Sequence, residues 1–154
     1  MKAHVVAGSL VATALLGGAT WSAVAAQAAP PQHGWTLHFR GEIVSYVAVP
    51  DRSDGSAQQA GDQSFFVTAL SRHGHRVGEA PHHCVAEDPT YSLCTAVARL
   101  PRGDISLETL LPASGDTLKV AVTGGTGVYR GVTGEADLRV TSATTQAWTI
   151  SLQH

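Results

Sequence analysis

The chain has 154 residues, with ten Lys and Arg against twelve Asp and Glu and a formal charge of −2. Acids and arginines are interspersed, which excludes the basic footprint of a nucleic-acid binder and leaves no charged tail or face. Lysine occurs only at Lys2 and Lys119 and asparagine not at all, while Ala and Arg are abundant, the bias of a GC-rich genome such as an actinobacterium's.

Lys2 precedes an apolar run from Val5 to Leu16 that continues through small residues to Ala26, and no acidic residue precedes Glu42. Ala23-Val24-Ala25 and Ala26-Gln27-Ala28 both fit the small-x-small rule of signal peptidase. A charged, apolar and cleavable start is the layout of a secretory signal over residues 1–28, cut after Ala28. A retained membrane anchor is the alternative, disfavoured because the run is rich in Gly and Ala and weakly hydrophobic for a span. Cleavage would leave 126 residues and a charge of −3, one domain large enough for a single core. Residues 29–34 read as a short linker around Pro30 and Pro31, and 35–154 as the domain, with a secreted, extracellular location and no membrane association after cleavage.

From Trp35 the pattern has period two: Trp35, Leu37 and Phe39 alternate with Thr36, His38 and Arg40. The run continues through Ile43, Val44, Tyr46, Val47 and Val49 and stops at Pro50, which has no N–H for a ladder. Residues 51–63 are polar and Gly-rich, a loop. Phe65, Phe66, Val67 and Leu70 form the next strand, His73-Gly74-His75 its turn, and Arg76-Val77 a short return. His83-Cys84-Val85 and Leu93 to Leu100 follow, separated by Asp88-Pro89. Beyond the turn Pro101-Arg102-Gly103-Asp104, four more runs alternate with polar residues: Ile105 to Thr109, Leu118 to Thr123, Leu138 to Thr141, and Trp148 to Leu152. About eight strands without helical periodicity predict an all-β sandwich or closed barrel. The first and last runs are long and each carries a Trp on its apolar face; pairing them would remove both edges.

Two cysteines in an oxidising compartment read as one disulfide, Cys84–Cys94. Pro89 lies midway between them, so a hairpin turning there sets them opposite one another. Free thiols, or zinc held with His82 and His83, are the alternatives, although Cys-x9-Cys is not a usual ligand spacing. His73, His75, His82 and His83 fall close together and raise a metal site, but exposed turn residues account for them and no spacing fixes a third ligand. No metal and no cofactor is expected. A Gly-x-Ser-x-Gly elbow is absent, and no Cys–His pair survives if the disulfide forms.

The most specific stretch is Val122-Thr123-Gly124-Gly125-Thr126-Gly127-Val128-Tyr129-Arg130-Gly131, followed by Gly134-Glu135. A dinucleotide loop would open a helix whose N-terminus holds phosphate. Here the residues after the glycines alternate as a strand, so Gly124, Gly125, Gly127, Gly131 and Gly134 read as a structural corner where a barrel bends, with Tyr129 packed in it. This stretch resembles the Gly-Gly-Thr-Gly segment near the C-terminal end of allene oxide cyclases and dirigent proteins. Cys84-Val85, Leu93-Cys94-Thr95, Gly103-Asp104-Ile105 and Trp148-Thr149-Ile150-Ser151-Leu152 are similar to strands and turns of that family, and Gly61-Asp62 and Val77-Gly78 to its bacterial members. The resemblance covers roughly residues 35–152.

What it implies is an eight-stranded antiparallel β-barrel with a central apolar cavity, often a trimer, hence a possible homo-oligomer. Cyclases of this kind rearrange an allene oxide to a cyclopentenone, and dirigent proteins hold phenoxy radicals or quinone methides and set stereochemistry. Both confine a molecule that would react anyway. The cyclases carry a Glu-Ile-Asn stretch on the first strand whose Glu and Asn assist ring closure. The matching place here reads Glu42-Ile43-Val44, and the missing Asn counts against true allene oxide cyclase activity. Dirigent proteins have an Asp near the same place, proposed as a proton donor. Glu42 is therefore the candidate catalytic acid, since a carboxylic acid in an apolar cavity stays protonated and can donate, and Tyr46 and Arg40 are the next candidates. The alternative puts Glu42 on the outer face in a weak surface pair with Arg40.

Three functional readings stay open at this point: a secreted barrel that binds a small hydrophobic molecule, a cyclase or stereocontrol protein, and an interaction module whose interior is filled by its own side chains. Whether there is turnover is left undecided. A solid interior would favour the third, and a cavity one of the first two.

Overall fold

The computed structural model describes residues 34–154, and the expected signal peptide and all but the last residue of the linker lie outside that range. Eight strands run β1 (Trp35–Val49), β2 (Gln63–Arg72), β3 (His75–Ala86), β4 (Tyr91–Leu100), β5 (Gly103–Pro112), β6 (Thr117–Gly125), β7 (Thr133–Val140) and β8 (Thr145–Gln153), with one 3-10 turn at Gly127–Tyr129. Each pairs antiparallel with its sequence neighbours, and β1 pairs also with β8, so the sheet closes on itself as a barrel. Closure leaves no strand edge unpaired, which is what decides for a barrel over a sandwich. No helix among the described residues is long and apolar enough to cross a membrane.

Directly opposed residues of an antiparallel ladder share a face. The register therefore sorts the interior: Phe39 faces Trp148, Trp148 faces Leu138, and Ala136 lies between Val120 and Ile150. Arg76-Val77 and His83-Cys84-Val85, separate segments in the sequence reading, belong to one strand, β3. It runs through Pro81, which has no N–H to donate, and the ladder to β4 skips from Glu79↔Arg99 to His82↔Ala96.

One half of the barrel is solid. Phe39, Leu70, Ile105, Ile150, Leu152 and Val132 are buried there. The glycine corner caps this end: Tyr129 and Val132 are buried under it, and Val128 N donates to Arg102 O at 3.0 Å. Gly127 stands at φ +57, in the left-handed region, and an added Cβ would collide with the Arg102 carbonyl oxygen. The corner is followed by strand β7 and not by a helix, so no phosphate-binding helix N-terminus forms.

At the other end many interior positions of β1–β4 are small, although Tyr46, Phe66 and His82 also stand on that wall. Register places Ala48, Ser64, Cys84, Ser92, Cys94 and Ala96 on the inner face. Side chains of that size leave this end unfilled: Cys94 and Ala96 border one space, an apolar cavity, and Ala48, Ser64, Cys84 and Ser92 a second.

Candidate functional site

The cavity measures about 260 Å³ and opens at the end where β1 finishes and β8 begins. Ile43, Phe66, Leu107, Leu118, Leu138 and Trp148 make most of its wall. The polar residues on it are few: Tyr46, His82, Thr95, Thr109 and Gln146, with Ser114 in the β5–β6 turn. No Asp, Glu, Lys or Arg lines it.

His82 comes from β3 opposite Phe66, and the two rings stack at 4.1 Å with 12° between their planes. Trp148 meets His82 edge-on, with ring centroids 5.8 Å apart. Fully buried Thr68 places its Oγ1 3.1 Å from His82 Nε2. Burial among these apolar groups pushes the imidazole down to about 4, so it is neutral at physiological pH. Trp148 Nε1 in turn donates to Gln146 Oε1 at 2.9 Å. This packing needs Gly41 on β1: a Cβ there would lie 2.7 Å from Trp148 Nε1 and 2.8 Å from Thr68 Cγ2.

The β1 candidates separate at a β-bulge. Ile43 pairs with Thr68 and Ser45 with Val67, so Val44 is an extra residue without a partner on β2. One extra residue inverts the alternation beyond it. Before the bulge Arg40 and Glu42 are exposed on the outer face, Glu42 opposite Ala69. Beyond it Tyr46 stands on the cavity side, opposite Phe66 with ring centroids 6.4 Å apart, but at the mouth, where it is 64% exposed. Of the three residues singled out on the first strand, Tyr46 alone lines the cavity. Val44, at the position of the cyclase Asn, is itself exposed on the outside.

Cys84 and Cys94 are opposed on β3 and β4 and joined by a disulfide inside the barrel, both nearly sealed from solvent. Cys94 lines the apolar cavity, whereas Cys84 lines a polar vestibule of about 140 Å³ under the loop after β1. Tyr46 borders both spaces. In that loop Arg52 holds Asp62 through two hydrogen bonds of 2.9 Å, which lowers the Asp62 carboxyl below its ordinary range. The loop is tied to β3 by Gly61 N to Ala86 O and Ala86 N to Asp62 O, both 2.8 Å.

The histidines do not gather. His82 faces in, while His83, one residue on, faces out and stacks on Phe65 at 4.7 Å. Among the described residues no group of three His, Cys, Asp or Glu side chains stands close enough to hold a metal ion. The sequence reading weighed His82 only as a metal ligand among turn residues and did not single out Gln146. A signal for His82 existed: it lies two residues from Cys84, so the two share a face of their strand.

No protein-family model matches the sequence, and no curated protein does. Solved structures do match in three dimensions. A pyocyanin demethylase shares 21% identity with a TM-score of 0.69, over 77% of this chain and 99% of that one. A pterocarpan synthase dirigent protein shares 17% with a TM-score of 0.66, over 86% and 99%. A Diels–Alderase from Streptomyces koyangensis shares 10% with a TM-score of 0.61, over 80% and 69%. At such identities what is shared is the fold, and it is the barrel that the resemblance implied.

Proposed function

We propose that the protein holds a small, largely apolar molecule in the open half of its barrel. The observation that carries this is the cavity itself: about 260 Å³, walled by aliphatic and aromatic side chains and free of charged groups. An apolar protein cavity of ~150 Å³ admits benzene, so this one suits a molecule of roughly ten non-hydrogen atoms. The test is calorimetric titration with indane of the wild type and of Ala96→Phe, which fills the space from β4. Saturable binding lost in a variant that melts like the wild type supports the reading; identical behaviour of the two sinks it.

A second reading adds chemistry to the same pocket. The neutral imidazole of His82 beside Tyr46 favours it, and so do solved barrels of this shape described as a dirigent synthase and a Diels–Alderase. Walls that impose one conformation on a reactive molecule accelerate one ring closure over others, and a neutral imidazole can take or return a proton. His82→Gln would then abolish turnover while leaving indane binding intact; loss of neither removes the reading. Export belongs to the proposal too, since a buried disulfide suits an oxidising compartment. N-terminal sequencing of protein from the culture medium checks it, and a chain found only inside cells would contradict it.

A further inference from the structure

Charges that alternate along the chain separate in the fold. Successive turns of an up-and-down barrel lie at opposite ends, so those after β2, β4 and β6 share the end capped by the glycine corner, and those after β1, β3, β5 and β7 share the mouth. Counting two residues into the flanking strands, the capped-end turns hold Arg72, Arg76, Arg99, Arg102 and Arg130 against one acid, Asp104. On the same count the mouth turns hold Asp51, Asp54, Asp62, Glu87, Asp88 and Asp116 against Arg52 and Arg139. The barrel is positive at one end and negative at the other, and its small net charge conceals both.

The basic end is open to a partner. Arg72, Arg102 and Arg130 are exposed, and among the described residues none of them pairs with a carboxylate. Arg76 and Arg99 share Glu79, at 3.1 and 3.6 Å. Every permanent cation of this end is an arginine, whose planar fork matches phosphate oxygens. Between Arg102 and Arg130 stands Val128, 44% exposed and, among the described residues, the one large apolar side chain so exposed at this end. Its N–H is held by the Arg102 carbonyl at 3.0 Å, and Arg130 follows two residues on. Trp35 joins Val128 and Arg102 around a hollow of about 340 Å³. A linear polyanion is tracked by a groove or stripe of cations. Cations set around an apolar tip, with a Trp beside it, suit the headgroup level of a lipid surface.

We propose that the capped end docks reversibly on a membrane surface rich in anionic phospholipid, with the cavity mouth turned to the water. The acids around the mouth repel the same surface and disfavour the opposite orientation. The sequence reading expected no membrane association after cleavage; a face assembled from three separate turns leaves no run in the sequence to announce it.

The experiment measures co-sedimentation at low salt with vesicles of phosphatidylglycerol and phosphatidylcholine in equal parts, and of phosphatidylcholine alone. Wild type, Arg102→Gln/Arg130→Gln and Arg139→Gln are prepared identically, so the residues before Gly34 contribute equally to each. At about fivefold per arginine, the double variant should bind the mixed vesicles about 25-fold more weakly, and Arg139→Gln, at the mouth, within about twofold of wild type. Indane affinity should be the same in all three, because none of these side chains lines the cavity; the proposal does not depend on the binding reading. Wild type retained no better on mixed vesicles than on phosphatidylcholine overturns it. Equal losses in the double variant and in Arg139→Gln overturn it as well, since position would then not matter. Tighter binding of duplex DNA than of mixed vesicles at equal phosphate concentration assigns this end to a linear polyanion and overturns the lipid surface. Should the double variant fail to fold, Arg72→Gln replaces it, with about a fivefold loss expected.

Discussion

Acidification from about pH 7 to about pH 4.5 should destabilise the fold through His82 by an amount the structure fixes. In the folded protein burial against Phe66 and Trp148 brings the imidazole down to about 4, against 6.5 for a free histidine. Between those two values the unfolded chain binds a proton that the folded chain refuses, so stability falls as pH drops from 6.5 towards 4 and is unaffected by His82 above 6.5. At about 1.4 kcal/mol per pH unit the whole window is worth about 3 kcal/mol, a large share of the roughly 5–15 kcal/mol of a typical domain. The assay is urea unfolding of the wild type and His82→Gln across that range. Glutamine still offers an oxygen to Thr68 and does not titrate, so the difference between the curves isolates His82 from the carboxylates. Asp54, Asp62 and Asp88, all held below their ordinary range, lose their contributions at lower pH and equally in both proteins. The two curves should part below about pH 6.5 and differ by nearly the full amount at about pH 4.5. Parallel curves, or an NMR titration of His82 with its midpoint near 6.5, would refute the placement of this ring in a dry wall.

Gly41→Ala should lower the melting temperature by several degrees, because its methyl group displaces Trp148 and Thr68 at a cost of about 1–3 kcal/mol; an unchanged melt and near-ultraviolet dichroism would contradict the contact. Replacing Cys84 and Cys94 together by Ala opens a loop with a sequence separation of 10 and should cost about 3 kcal/mol on the chain-entropy estimate; a loss under about 1 kcal/mol by denaturant titration would show that the bridge does not restrain the unfolded chain. Gly127→Ala combines a left-handed φ with a collision against the Arg102 carbonyl and should cost more than about 2 kcal/mol. Gly55→Ala, at φ +80 in open space, carries the backbone penalty alone, about 1–2 kcal/mol; equal melting temperatures for these two variants would show that the corner is not packed as described.

Much of the barrel could be read without coordinates because alternation is a property of each strand by itself. Trp35 to Phe39 and Trp148 to Leu152 declare an inner and an outer face, Pro50 and Pro101 end their strands, and Pro89 halfway between Cys84 and Cys94 sets the hairpin that joins them. The glycine stretch foretold its corner and the buried Tyr129, since positive φ and close backbone contact need residues without a Cβ. Less was legible in β3, where Pro81 masks a strand that continues because an antiparallel ladder tolerates one missing donor.

The site belongs to the other category. Glu42 and Tyr46 are four residues apart and share a face of any regular strand, yet one ends on the outer face and the other at the mouth of the cavity. The extra residue at Val44 is defined only against the register of β2, so no property of β1 alone announces it. His82 and His83 are identical neighbours, and their opposite fates depend on which face of β3 closes inward. The cavity is likewise a property of the closed barrel: eight strands fix an inner circumference, and small residues contributed by β1 to β4 leave part of it empty. Sequence determined the strands and their two faces, because those follow from backbone geometry and local polarity. Closure and the bulge decided which atoms meet, because both arise only when distant strands commit to one register.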